Sequence, residues 1–377
     1  MTSGAVRLEL PAFPWDSLDG AARRAAQHPG GAVDLSVGTP VDPVPDVVRA
    51  ALQSVSDLSG YPATHGTREL REAAVGALRR RHDVTGVAVD AVLPTIGSKE
   101  LVAWLPTLLG LGPGDLVVLP ELAYPTYDVG ARLAGATPVR LADGDPAPRG
   151  TRLRWVNSPS NPTGAVASAE LLAALLDQAR RIGAVVASDE CYLDLGWQST
   201  PVSTLHPQVC AGEHDGVLAV HSLSKSSNLA GYRAGFVAGD PDLIARLLAV
   251  RKHAGMIVPR PVQQAMVVAL CDDTHIAEQR ARYARRRDAL TPALRGAGLR
   301  VEHSDGGLYL WCTAGQPCRD TVARLAEIGI LVAPGDFYGP AGAQHVRVAL
   351  TATDERISAA VSRLAELNLR GVFTGSG

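Results

Sequence analysis

The chain runs to 377 residues, 46% hydrophobic and 20% charged, which excludes a disordered protein and implies two or three domains at about 150 residues each. Its net charge of −2 lacks the basic excess of a dedicated nucleic-acid binder, so no nucleic-acid partner is expected. Five cysteines (Cys191, Cys210, Cys271, Cys312 and Cys318) form no Cys-x-x-Cys pair, so neither a disulfide framework nor a zinc site is implied, and a reducing, cytoplasmic setting is expected.

In chain order, residues 1–10 lack the apolar run of a signal peptide. Pro11, Pro14, Pro40, Pro43 and Pro45 punctuate an extended stretch, and residues 1–45 are expected to form an arm packed against the smaller domain. From Asp46 the pattern alternates. Helices are predicted at 47–58, 67–81, 98–109, 125–134, 169–181 and 241–253. Apolar strands are predicted at 92–96, 116–119, 153–156, 184–188, 217–220 and 236–238. Asp240 as N-cap and Pro241 at the first helical position mark the last of these helices. The stretch 101–114 is interrupted by Pro106 and glycines and is too short to cross a bilayer, so no membrane association is expected.

Alternating strands and helices imply a large domain, 46–255, with a mostly parallel sheet flanked by helices. After about Met256 a long basic helix at 274–295 leads to short strands at 299–302, 308–312 and 346–349 and a closing helix at 354–367. That reads as a smaller C-terminal α+β domain, 256–377, so the expected fold class is α/β with a second, α+β part and an N-terminal arm.

In such sheets function gathers where strands end. Four ends are dense in polar residues: Asn161-Pro162-Thr163-Gly164, Ser188-Asp189-Glu190-Cys191-Tyr192, His221-Ser222-Leu223-Ser224-Lys225 and Gly231-Tyr232-Arg233. Each has an ordinary reading alone. Asn-Pro-Thr-Gly is turn chemistry, and Asp189 could cap a helix. Ser222 to Lys225 fits the S-x-x-K pattern of a serine acyl-transfer enzyme, but no later K-T-G follows. No phosphate-binding G-x-x-x-x-G-K-[ST] and no H-E-x-x-H is present, and the ten histidines are not clustered for a metal. The chain holds three lysines, Lys99, Lys225 and Lys252, against thirty-three arginines, which draws attention to where each lysine stands.

Taken together the four ends make one chemical sense. A lysine can form an imine with a phosphorylated aldehyde whose phosphate is held by nearby hydroxyls and a guanidinium. A carboxylate facing a ring nitrogen keeps it protonated, and a tyrosine and an asparagine can donate to the ring's phenolate oxygen. That cofactor is pyridoxal phosphate.

Here the sequence resembles the class I/II aminotransferases, pyridoxal-phosphate enzymes of fold type I, from Gly38 to Arg347. The resemblance implies Lys225 as Schiff-base lysine, Asp189 as pyridine-nitrogen partner, and Tyr192 and Asn161 as ring-oxygen donors. It implies Ser222, Ser224 and Arg233 as phosphate ligands, with Gly97-Ser98-Lys99 as a phosphate loop at a helix N-terminus, where free N–H groups favour an anion. Tyr124 matches the aromatic that stacks on the ring, and Tyr61 a residue that reaches the phosphate across a homodimer with shared active sites. Arg347 matches the arginine that grips the substrate α-carboxylate, and Gly38 the arm glycine beside it.

Three readings compete. A β-lyase or decarboxylase could use the same scaffold, but Arg347 and the short loops favour amino transfer between small amino and 2-oxo acids. A transcription regulator of this fold needs a DNA-binding domain ahead of it, and the roughly 46 residues before the alternating region carry no helix-turn-helix pattern. The stretches 33–43, 60–67 and 258–261 resemble actinobacterial N-succinyldiaminopimelate aminotransferases of the lysine and cell-wall pathway. Aspartate-type, aromatic-type and related acyl-diaminopimelate aminotransferases are the alternatives, and an aromatic content of 5% gives no support for an aromatic pocket. A long diacid substrate needs a second cation; Arg260, bracketed by Pro259 and Pro261, is the candidate, with a surface linker arginine as the plain alternative.

Overall fold

The computed structural model describes residues 10–55 and 57–369; the first nine residues of the expected arm, Ser56 and the last eight residues lie outside the described residues. The arm opens with a 3-10 turn, Pro14–Leu18, then α1 (Asp19–Ala26) and the short strand β1 (Val33–Asp34). It is therefore partly helical where its prolines suggested extension. Pro14 begins a turn, where its missing N–H leaves no bond unmade.

The large unit follows with α2 (Asp46–Gln53), α3 (Arg68–His82), β2 (Val92–Ile96), α4 (Gly97–Leu108), β3 (Leu116–Pro120), α5 (Thr126–Leu133) and β4 (Thr137–Leu141). Then come β5 (Thr151–Asn157), α6 (Ala169–Ile182), β6 (Val185–Asp189), α7 (Pro207–Cys210), β7 (Val217–Ser222), α8 (Leu223–Ser226), β8 (Ala234–Gly239), α9 (Pro241–Ala254) and α10 (Arg260–Cys271). Side-chain caps set several starts: Thr67 Oγ1 accepts from the Leu70 N–H at 3.2 Å, and Asp240 Oδ1 from Asp242 and Leu243 at 2.8 and 3.0 Å. The first predicted helix stops early, at Gln53. The next residue, Ser54, turns its hydroxyl back onto the Ala51 carbonyl at 2.8 Å, a local bond that competes with helix continuation.

Seven strands form the central sheet in the order β2-β8-β7-β6-β5-β3-β4. All neighbours are parallel except at β8, which runs antiparallel to both β2 and β7. The inner strands are apolar on both faces because helices cover both: α3, α6 and α10 on one side, α4, α5 and α9 on the other. β4, an edge strand with no fully buried residue, gave no clear apolar run in the sequence. α10 packs on α2 and α3 and buries Val262, Ala265, Met266 and Ala269 in the large core. The compositional change near residue 256 thus precedes the change of core, which falls after Cys271.

The small unit comprises α11 (Thr274–Gly296), β9 (Arg300–His303), β10 (Tyr309–Thr313), α12 (Cys318–Glu327), β11 (Ile330–Leu331), β12 (Ala333–Pro334), β13 (His345–Ala349) and α13 (Asp354–Leu369). Its antiparallel sheet has the order β12-β13-β10-β9. The arm belongs to this unit: β1 pairs parallel with β11, and Leu18, Val33 and Leu35 are buried in the same core. Arg286 on α11, 3% exposed, joins Asp42 of the arm to Asp354 at the start of α13. Among the described residues no helix is long and apolar enough to cross a membrane.

Candidate active site

β6 ends on Asp189 and its neighbour β7 on Ser222, so parallel pairing brings two of the polar ends side by side. Ser222 caps the short helix α8, its hydroxyl accepting from the Ser224 N–H at 3.1 Å. That helix presents Lys225, whose Nζ donates to the Gly38 carbonyl on the arm. Burial lowers the pKa of the Lys225 amine; Arg347 and Arg233 push the same way, while Tyr309 and Cys191 oppose them. The hydrogen-bond partner of the amine is a carbonyl rather than a carboxylate, so no salt bridge holds its proton.

The second element is the N-terminus of α4. Ile96 provides no side-chain cap, which leaves first-turn N–H groups for an anion. Gly97 has φ +69°, and a Cβ there would stand 2.8 Å from Arg233 Cζ; only glycine lets that guanidinium approach the loop. Arg233 is anchored by a 2.8 Å bond from its own Nη1 to the Ala230 carbonyl. Glu100 accepts from the Ile96 N–H at 3.3 Å and pairs with the fully buried Arg251 through both oxygens, at 2.8 and 3.2 Å. The loop is therefore tied to α9. Ser98 lies against the Cys191 thiol, inside the site. The Lys99 side chain does not: it is exposed, with Nζ 5.9 Å above the Phe13 ring of the arm. Its share in an anion cradle is confined to the backbone. Hydroxyls, a guanidinium, a bare helix N-terminus and a glycine that makes room for them form a donor set suited to a phosphate, beside an amine suited to an aldehyde. The residues fit pyridoxal phosphate.

Around Asp189, 7% exposed, the structure adds partners that the sequence did not reveal. Burial raises its pKa, while bonds from Cys191 and Tyr127 pull it back. The Tyr127 hydroxyl donates to Asp189 Oδ2 at 2.8 Å, and the Cys191 N–H donates to Oδ1 at 3.2 Å. Tyr127 is fully buried, stacked on Trp155 at 4.7 Å between ring centroids and met edge-on by Tyr124 at 5.8 Å. Burial pushes the Tyr124 hydroxyl up to about 12, so it stays a neutral donor. Asn157 Nδ2 donates to the Asp189 carbonyl at 2.8 Å while its Oδ1 accepts from the Asn161 N–H at 2.7 Å, locking both candidates to one side chain.

Arg347, on β13 and 2% exposed, donates from Nη1 to Asn161 Oδ1 at 2.7 Å and from Nη2 to the Ser36 carbonyl at 2.6 Å. Tyr309 and Tyr338 lie 4.0 and 5.0 Å from its guanidinium carbon, measured to ring centroids. Tyr192 is buried with its hydroxyl 3.1 Å from that of Tyr309. Gly38 fits because a Cβ would stand 2.9 Å from Tyr309 Cζ. Five of the eight tyrosines (Tyr124, Tyr127, Tyr192, Tyr309 and Tyr338) thus gather here. The low aromatic content was a poor guide to this pocket, because an average over the chain says nothing of where the rings collect. Tyr127 sits in the first turn of α5, three residues after Tyr124, and that closeness in the chain to a residue already singled out could have flagged it. Tyr309 and Tyr338 carry no comparable local signal.

Two predicted site residues stand apart from this cluster. Tyr61 is 97% exposed, and Arg260 is exposed on the first turn of α10. Tyr61 lies on the stretch before α3, and Arg260 opens α10, which is tied to the start of α3 where the Thr67 N–H donates to Gln263 Oε1 at 3.0 Å. Arg260 lies near enough to Glu69 for its charge to help lower that carboxylate, after hydrogen bonds from the Glu69 backbone and Thr67.

Residues 31–364 match the profile of the family described as aminotransferase class I and II. A probable aminotransferase of Mycobacterium tuberculosis is 64% identical, over 96% of this chain and 87% of its own length. A 4-dedimethylamino-4-oxo-anhydrotetracycline transaminase of Streptomyces rimosus is 59% identical over 94% of this chain and 99% of its own. The LL-diaminopimelate aminotransferase of Aquifex aeolicus is 33% identical over 96% and 97%. Among solved structures, an aminotransferase from Neisseria meningitidis superimposes with a TM-score of 0.83 at 30% identity, over 95% of this chain and 97% of that one.

Proposed function

Because the chain belongs to the class I and II aminotransferases, whose cofactor is pyridoxal phosphate, we propose that it moves an amino group between glutamate or 2-oxoglutarate and N-succinyl-2-amino-6-oxopimelate, as a homodimer with shared active sites. The cofactor, when bound, supplies the electron sink for the charge left as the substrate α-proton departs. In this reading Lys225 gives up its proton readily and then carries the proton at the α-carbon. Asp189 holds the proton on the ring nitrogen. Tyr192 and Asn161 donate to the ring oxygen; Asn161 can do so because its Oδ1 already accepts from Arg347, leaving the amide N–H groups free. Gly97, the Ser98 and Lys99 backbone, Ser222, Ser224 and Arg233 hold the phosphate, and Tyr124 stacks on the ring. Arg347, beside Gly38, takes the α-carboxylate, its planar fork matching one carboxylate at a time.

The observation that carries the diacid reading is that Tyr61 and Arg260 are both exposed at the surface, outside their own chain's cluster. Placed there, both can serve the site of a second subunit, Tyr61 at the phosphate and Arg260 at a distal carboxylate. The relatives named LL-diaminopimelate aminotransferases support a diaminopimelate skeleton. With Arg260→Ala, KM for the succinylated diacid should rise about 10-fold or more, since a lost charged contact costs about 1.5–3 kcal/mol, while alanine as donor is almost unaffected. Co-assembling a Tyr61→Phe chain with a Lys225→Ala chain should restore one complete site per heterodimer. Equal losses on both substrates, or an active monomer, would reject the proposal.

A second reading, a bulky ring ketone as acceptor, is favoured by the tyrosines around Arg347 and by the Streptomyces rimosus relative. Turnover on an anthracenoid or naphthacenoid ketone with none on the succinylated diacid would replace the first reading with it.

A further inference from the structure

We infer that Tyr309 is a positioning residue for Tyr192: its hydroxyl donates to the Tyr192 hydroxyl and so aims and strengthens the hydrogen bond that Tyr192 offers the cofactor. The inference rests on the ring-oxygen role proposed for Tyr192. The two hydroxyl oxygens are 3.1 Å apart, and the rings meet edge to face at 5.7 Å and 78°. Both side chains are buried, Tyr192 at 6% exposure and Tyr309 at 3%. A tyrosine hydroxyl has one proton. If Tyr192 spends its proton on the ring oxygen, the bond between the tyrosines has one possible direction, from Tyr309 to Tyr192. Hydrogen bonds in series polarise one another, so the second donor makes the first a better one.

The surroundings hold Tyr309 in place for this. Arg347 of β13 lies 4.0 Å over the ring, Gly38 of the arm leaves space for the hydroxyl, and β10 fixes the backbone opposite Ala349. The ionisable groups that face the pair are Lys225 of α8, Arg347 of β13, Asp189 at the end of β6, Cys191 just after it, and the tyrosines Tyr124, Tyr283 and Tyr338. Burial raises the Tyr192 pKa, which keeps it a neutral donor through the working pH range. Stacking under Arg347 explains a ring at 309 but gives the hydroxyl nothing to do; the contact with Tyr192 does.

Tyr309→Phe keeps the ring and removes only the hydroxyl. The readout is the pH midpoint of the visible-absorbance change of the holoenzyme, which reports the proton shared between the Lys225-bound nitrogen and the ring oxygen. Tyr192→Phe should move that midpoint upward, because an unsupported ring oxygen holds the proton more tightly. Tyr309→Phe should move it in the same direction by about a quarter as much, the fraction by which one bond strengthens the next. In a Tyr192→Phe background the second change should add nothing. KM for the amino donor should hold, because the ring beneath Arg347 remains. No shift with Tyr309→Phe, or an equal shift in both backgrounds, would overturn the inference while leaving Tyr192 in its role. No shift with Tyr192→Phe would reject that role and the inference with it.

Discussion

Replacing Gly97 with alanine probes the cofactor cradle at its tightest point. Two separate effects are expected. At φ +69° an alanine costs about 1–2 kcal/mol of folding stability whether or not cofactor is present. The added Cβ would also sit 2.8 Å from Arg233 Cζ, well inside an ordinary carbon–carbon contact of about 3.5–4.0 Å. Arg233 must therefore withdraw, and a phosphate that loses a charged hydrogen bond loses about 1.5–3 kcal/mol. That corresponds to a dissociation constant for pyridoxal phosphate raised about 10- to 100-fold. Titrating the apoenzyme with pyridoxal phosphate measures the second effect, and a thermal melt of the apoenzyme measures the first. Because Gly97→Ala and Arg233→Ala remove the same contact, the double variant should bind scarcely worse than either single one. Unchanged affinity in Gly97→Ala, or full additivity in the double variant, would refute the argument from the cradle.

Lys225→Ala should abolish the visible absorption and nearly all turnover, whereas Lys99→Ala should keep both, since the Lys99 side chain lies against Phe13 instead of in the site; the reverse pattern in absorbance spectra would reject the assignment. Tyr127→Phe should raise the pKa of Asp189 further: burial already lifts it, and the Tyr127 bond is one of those holding it down. A bond to a charged group is worth about 1.5–3 kcal/mol and a pKa unit 1.36, so the acid limb of kcat/KM should move up by about 1–2 units with the basic limb in place. An acid limb at the wild-type position in a variant that binds cofactor normally would show that Tyr127 does not tune Asp189.

The sheet and the strand-end residues were legible in the sequence because both rest on local pattern. β6 and β7 are short apolar runs that stop at a polar residue, and parallel pairing then puts Asp189 beside the α8 turn. What was hidden depends on side chains that meet across long separations. The Tyr192–Tyr309 contact spans 117 residues and the bond from Arg347 to Ser36 spans 311, and no window along the chain sees either. α10 was hidden for another reason. Its apolar residues are spread around the helix without a strong polar face, because it is covered by α2 and α3, and a helix buried in this way lacks the stripe that marks an amphipathic one. Lys99 shows that a motif places a backbone more securely than a side chain: the loop sits as expected, yet the lysine extends toward the arm.

The near-absence of lysine has a practical consequence for chemical footprinting. Lys99 and Lys252 are exposed, while Lys225 is partly buried against the arm with an amine that loses its proton easily. An amine-acylating reagent therefore meets three side chains of contrasting kinds and the terminal amine. The two exposed lysines act as internal standards for reagent dose, and the third reports whether the pocket is filled. Peptide mass spectrometry across a titration of pyridoxal phosphate would then follow occupancy at a single position, without the crowd of surface amines that blurs such maps in most enzymes.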